Sequence, residues 1–240
     1  MQEKIYQLSL ELLNNRDYFQ ELIQNKKVNY YWSDDWSRDF YIKQAKLGFI
    51  STTYEIPEKL LLLPELQFEY ALLDFTNLHI DSKVKKLIKE DNYKLTFDTS
   101  FEKVLEKIDK YHKYNWLKGP YIDLMKQLHK AKDPNFQLHS VELLSKENRN
   151  IIAGEIGYVI GATYTSLSGF SLKEKRYNNC GKLQLVYLAQ ELKKREFSFW
   201  NLGHPHMEYK KRLGVKVYSR ELFLQRWEEA INRKQKDLYE

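Results

Sequence analysis

The segment from Ile151 to Ser168, IIAGEIGYVIGATYTSLS, constrains the fold more than any other part of this 240-residue chain. It is rich in β-branched and aromatic residues and is punctuated by Gly154, Gly157 and Gly161. Such a run reads as two buried strands joined near Tyr158 to Gly161, with glycines where backbone comes close to other groups. The longest amphipathic pattern follows over residues 181–195, where Leu183, Leu185, Val186, Leu188, Ala189 and Leu192 recur at helical spacing. The apolar run Phe197 to Trp200 then reads as a further buried strand. Strands of this kind need helices on their faces, so the second half of the chain predicts a mixed sheet with flanking helices.

The first half alternates helical and strand patterns. Residues 4 to about 25 place Ile5, Leu8, Leu12, Leu13, Phe19, Leu22 and Ile23 at helical spacing. Ser37 is a candidate N-cap for a helix carrying Phe40, Ile42 and Ala45, and Gly48 is its stop. Strands are expected over Phe49 to Thr53, Phe68 to Phe75 and Tyr93 to Phe97. Helices are expected after Asp81 or Ser82, after Ser100 and after Pro120, and strands over Phe136 to Leu144 and Val215 to Tyr218. Ser219 is placed to cap a terminal helix. The overall class is α+β, with a smaller α/β portion over 1–118 and the sheet-and-helix portion over 119–240.

Several function classes find no support. The most apolar short run, Leu60 to Leu63, is far too short to span a bilayer, and the N-terminus lacks a secretory pattern, so a cytoplasmic protein with no membrane partner is expected. Cys180 is the sole cysteine and reads as structural rather than nucleophilic. There is no phosphate-binding glycine loop, no zinc-ligand spacing and no serine elbow. Pro205 between His204 and His206 makes a loop of that segment, so those two histidines are not expected to hold a metal, and with these motifs missing no cofactor is expected. The formal charge of +6 favours a polyanionic partner. Basic residues cluster at Lys83, Lys85, Lys86 and Lys89, at Lys193, Lys194 and Arg195, and at Lys210, Lys211 and Arg212. Each cluster alone also reads as a solvated helix face; together they suit a tRNA-sized phosphate surface.

A set of motifs then meets a known pattern. SDDWSRDFYIKQAKLGFI (33–50), LPELQFEYALLDFTNLHIDSKVKKLI (63–88), NWLKGPYIDLM (115–125), LHSVELL (138–144), AGEIGYVIGATYTSLSGFS (153–171), NCGKLQL (179–185) and LGVKVYSRELFL (213–224) occur in this order. By their order and spacing the chain resembles the leucyl/phenylalanyl-tRNA–protein transferases. The resemblance implies an acetyltransferase-like fold in the 119–240 portion behind the smaller N-terminal one. It also implies aminoacyl-tRNA as donor through its 3′ end, a protein N-terminal α-amine as acceptor, and no metal or coenzyme A. Arg176-Tyr177-Asn178-Asn179 stands where coenzyme-A enzymes of that fold carry a glycine-rich pyrophosphate loop.

The resemblance assigns roles residue by residue. Trp116 matches a tryptophan beside the terminal nucleotide and aminoacyl group; core packing is the other reading. Tyr164, Ser166 and Ser168 alternate along one strand and share a face, which is assigned to the aminoacyl or acceptor cleft together with Glu142 of HSVE. His139 points to the opposite face from Glu142. The family's glutamate for a basic acceptor residue is replaced by Leu167. Its Asp-x-Gln on the strand after the long helix is replaced too: Asn201 stands for Asp, and Gly203 or His204 for Gln. His204 is then the candidate base, with Asn201 positioning the carbonyl or a ribose hydroxyl. Lys182, at the start of the long helix, is a candidate for the 3′ phosphates, and Lys83, Lys85, Lys86, Lys210, Lys211 and Arg212 for the rest of the tRNA. With the Asp, Gln and Glu equivalents absent, two other readings stay open: a non-catalytic aminoacyl-tRNA or protein-terminus binding module, and an acetyltransferase-like enzyme acting on another amine.

Overall fold

Residues 5–239 are described by the structure, a computed structural model. The chain begins with β1 (Tyr6–Gln7), α1 (Leu10–Asn14), α2 (Arg16–Gln24), β2 (Tyr31–Trp32) and α3 (Arg38–Lys46). A hairpin, β3 (Ile50–Ile56) with β4 (Lys59–Glu65), leads to β5 (Glu69–Leu73), α4 (Ser82–Glu90), β6 (Tyr93–Phe97), α5 (Phe101–Tyr111) and α6 (Pro120–Ala131). Then come β7 (Gln137–Ser145), β8 (Ile151–Ile160), β9 (Thr163–Ser171), α7 (Cys180–Lys194), β10 (Phe199–Asn201), α8 (Glu208–Leu213), β11 (Lys216–Ser219) and α9 (Arg220–Ile231).

The glycine-dotted segment is the hairpin β8–β9, and every residue of β8 is buried. A Cβ at Gly157 would lie 2.4 Å from the Tyr164 hydroxyl, so only glycine lets the ring cross the strand there. Gly161 makes the turn with φ +54°, and its bare Cα faces the Ala230 and Ile231 carbonyls at the end of α9.

Seven strands form the main sheet in the order β11–β5–β10–β9–β8–β7–β6. All neighbours are antiparallel except β9 and β10, which run parallel and are joined by the crossover helix α7. Helices cover both faces. Ile156, Tyr158 and Phe199 look toward α5, α6 and α9, whereas Ile152, Val159 and Trp200 look toward α7. This is the α+β mixed sheet with flanking helices expected for the chain, and its one parallel pair sits near the centre.

Two expectations change. The periodicity over 4–25, which begins outside the described residues, is divided between two helices. Ser9 caps the first, and Asn15 ends it and caps the second by accepting the Tyr18 N–H at 3.1 Å. The division at residue 118 does not bound the sheet: β5 and β6 precede it, yet they pair with β10, β11 and β7 in the same sheet. Arg220 ties the early elements to this sheet. Its buried guanidinium donates to the carbonyls of Leu22, Ile23, Asn25, Leu66 and Gln67.

Candidate active site

β10 pairs with β9 along its whole length, across Thr163 to Thr165, and ends there. Asn201 ends β10, its Oδ1 accepts the Gly203 N–H at 2.9 Å, and Gly203 turns the chain away with φ +68°. β9 continues to Ser171 without a partner on that side. A cleft of about 480 Å³ opens in the gap. Its walls are β9 from Ser166 to Ser171, the first turns of α7, the Met207–Lys210 segment, and Tyr111, His112 and Trp116. A β-bulge shapes the floor: Gly157 pairs with Ser166 and Ile156 with Ser168, so Leu167 is the extra residue and lines the cleft with both serines.

Two buried ionisable groups meet this cleft. Glu155, on β8, accepts hydrogen bonds from Ser166 Oγ (2.6 Å), Tyr164 Oη (3.1 Å) and Gln184 Nε2 (3.2 Å). Trp200 Nε1 donates to Ser166 Oγ at 2.8 Å, which leaves the serine proton for Glu155. Burial raises the Glu155 carboxyl above its ordinary value, opposed by these three bonds and by the charge of Lys210. Lys210, on α8, is also buried, and its Nζ donates to the carbonyls of Leu202 (2.5 Å) and His204 (2.6 Å). Burial pulls its pKa down to about 8, with the charge of Glu155 acting the other way. An ammonium has three N–H donors, and two of those on Lys210 are spent on backbone. The cleft therefore offers a fixed cationic donor and a carboxylate acceptor in a water-poor setting, which suits stabilisation of a carbonyl oxygen gaining charge and acceptance of an amine proton.

The expected site residues fall into two groups. Trp116, Ser166, Ser168, Lys182 and Lys210 come together at the cleft. Trp116 is half-buried with its ring 5.2 Å from Tyr121, so it serves the core and the cleft wall at once. Lys182 also pairs with Asp81 at 3.2 Å, joining α7 to the cap of α4. The others lie elsewhere. Tyr164 is fully buried beneath Glu155 and does not line the cleft. Glu142 is fully buried under β6, where it accepts from Thr96, Thr99, Ser140 and the Ser100 N–H. Asn201 is buried and spends its side chain on the turn, and His204 points to Glu65, 3.6 Å away. Neither lines the cleft: Asn201 is held in the turn by the Gly203 N–H, and His204, beyond that turn, is carried toward Glu65. Lys83, Lys85 and Lys86 are exposed on α4, and Lys211 and Arg212 on α8. Lys210 is the exception in its cluster, because the period of α8 turns it inward.

Glu155 and Gln184 were not among the expected site residues. A signal was present in the first: a lone acid in an otherwise apolar strand must be paired or functional when buried. Cys180 is buried, and burial raises its thiol pKa, in keeping with a structural role. Among the described residues no group of His, Cys, Asp and Glu is arranged to hold a metal ion, and no helix is long and apolar enough to cross a membrane.

A family profile described as Leucyl/phenylalanyl-tRNA protein transferase matches residues 72–228, the span from β5 to α9. The chain belongs to this family. A relative of that name from Maridesulfovibrio salexigens is 33% identical over 164 residues, covering 67% of this chain and 64% of its own. One from Hyphomonas neptunium is 27% identical over 166 residues, covering 67% and 59%. The matched part thus spans about three fifths of these relatives' length. Among solved structures, FemX aligns with a TM-score of 0.47 at 12% identity, over 85% of this chain and 73% of that one.

Proposed function

We propose that the chain transfers an aminoacyl group from tRNA to the terminal α-amine of a protein, with the reacting atoms held in the cleft between β9 and α7. Family membership supports the reaction class. The observation that carries the reading is that buried Lys210 and buried Glu155 both line one cleft of a size usual for small-molecule groups. An aminoacyl ester is already activated, so orientation and charge stabilisation supply most of what is needed. The amine nitrogen attacks the ester carbonyl, and the carbonyl oxygen takes a hydrogen bond from the unspent N–H of Lys210. Glu155 accepts a proton from the attacking nitrogen, alone or through Ser166. The C–N bond forms, the C–O bond to the ribose breaks, and the proton returns to the departing 3′ oxygen. Trp116, at the cleft mouth with His112 and Tyr111, is suited to stack on the terminal adenosine. In this reading His204 acts through its backbone, whose carbonyl helps to hold Lys210 in place.

The test mixes tRNA charged with a labelled amino acid with two peptides that differ only in N-terminal acetylation. Label should appear on the free peptide and not on the acetylated one. Binding of the charged tRNA with no label on either peptide would reject the transferase reading in favour of a binding module.

A further inference from the structure

A second concavity, of about 510 Å³, neighbours the cleft where β9 ends, with Ser171 lining the cleft and Leu172 the concavity. Lys94 on β6, Lys103 and Lys107 on α5, Arg149 in the β7–β8 turn and Arg176 before α7 all line it. Glu174, paired with Arg176 at 2.8 Å, is the one acid on the lining. Glu142 lies behind Thr96, Thr99 and Ser100, and its carboxylate is occupied by donors from all three and from Ser140. Among the described residues Lys94, Lys103, Lys107 and Arg149 make no ion pair with any acid. Like charges gathered in one hollow repel one another, and nothing in the packing of the fold requires these to be there. Lys107 marks the passage to the cleft: its Nζ stands 5.7 Å from the centre of the Phe170 ring, and Phe170 lines the cleft.

We infer that this trough binds the phosphate backbone of the RNA whose 3′ end enters the cleft, an inference that rests on the tRNA reading above. A strand leaving the cleft past Phe170 meets the trough at once, and a duplex following it is gripped through phosphates without regard to sequence. The five cations come from four separate segments of the chain, so no run of basic residues announces them.

The experiment measures binding of an uncharged hairpin RNA, ending in a single-stranded CCA and copying an acceptor stem, by fluorescence anisotropy over a range of salt. The triple variant Lys94→Ala, Lys103→Ala, Arg149→Ala removes only exposed side chains, and a thermal melt checks that it stays folded. The companion triple, Lys83→Ala, Lys85→Ala, Lys86→Ala, removes the exposed cations of α4. The trough variant should weaken binding at least about tenfold at low salt and reduce the slope of log K against log salt by about 3, and Lys94→Arg, Lys103→Arg should restore most of it. Wild-type binding that the trough variant leaves unchanged in affinity and slope overturns the trough while leaving the cleft reading intact. No binding of the hairpin by the wild type overturns both. Binding of anionic lipid vesicles that depends on the same residues, with no RNA dependence on them, assigns the trough to a membrane surface and overturns it as an RNA contact.

Discussion

At the scale of single residues, Lys210 carries the chemistry of the account. Its two backbone bonds fix Nζ, and its burial brings its titration to about pH 8. Below that value it is charged and can stabilise a developing oxyanion; as pH rises through it the charge is lost. Transfer should therefore decline on the alkaline side near pH 8, although the attacking amine becomes more reactive there. Lys210→Met should lower the single-turnover rate by about 10²–10³-fold, the usual effect of removing one such donor, and should lose the alkaline decline. His204→Ala should change the rate less than about threefold, and rapid-quench kinetics over pH 6 to 10 compare the two. Sequence alone showed a run of three basic residues and could not say which one turns inward, because burial is decided by the packing of α8 against the end of β10. The site was expected on Asn201 and His204 for the same reason: alignment gives position along the strand but not where the strand ends.

At the scale of elements, local chemistry made most of the architecture readable. Ser37 and Ser219 cap the helices they were expected to cap, and of Asp81 and Ser82 it is Asp81 that caps α4, whereas Ser100 precedes α5 without a side-chain capping bond; the glycine spacing marked the β8–β9 hairpin. The long N-terminal period misled because Asn15 serves both as the end of one helix and the cap of the next. Alternation also placed Tyr164, Ser166 and Ser168 on one face. The bulge at Leu167 breaks that alternation, and bulges leave no mark in a period-two pattern. Gly157 tests how much the hairpin depends on close approach. Gly157→Ala forces the Tyr164 ring off Glu155 or separates the strands, and should cost about 1–3 kcal/mol in denaturant unfolding. An unchanged midpoint would contradict the described contact.

At the scale of the whole molecule, one sheet gathers strands from both halves of the chain. Near its centre β10 stops short while its parallel neighbour β9 runs on, and the cleft opens beside the unpaired part of β9. The sequence order of helices and strands showed the class of fold, but not that β5 would cross to pair with β10 and β11. Long-range strand pairing depends on contacts between distant residues and leaves no local signature. The most direct measurement is a crystal structure with puromycin, an aminoacyl-adenosine mimic. The account predicts its nucleoside against Trp116 and its carbonyl oxygen within hydrogen-bond distance of Lys210 Nζ, with Glu155 and Ser166 on the other side. Puromycin seated elsewhere, or a cleft that stays closed to it at saturating concentration, would contradict the account.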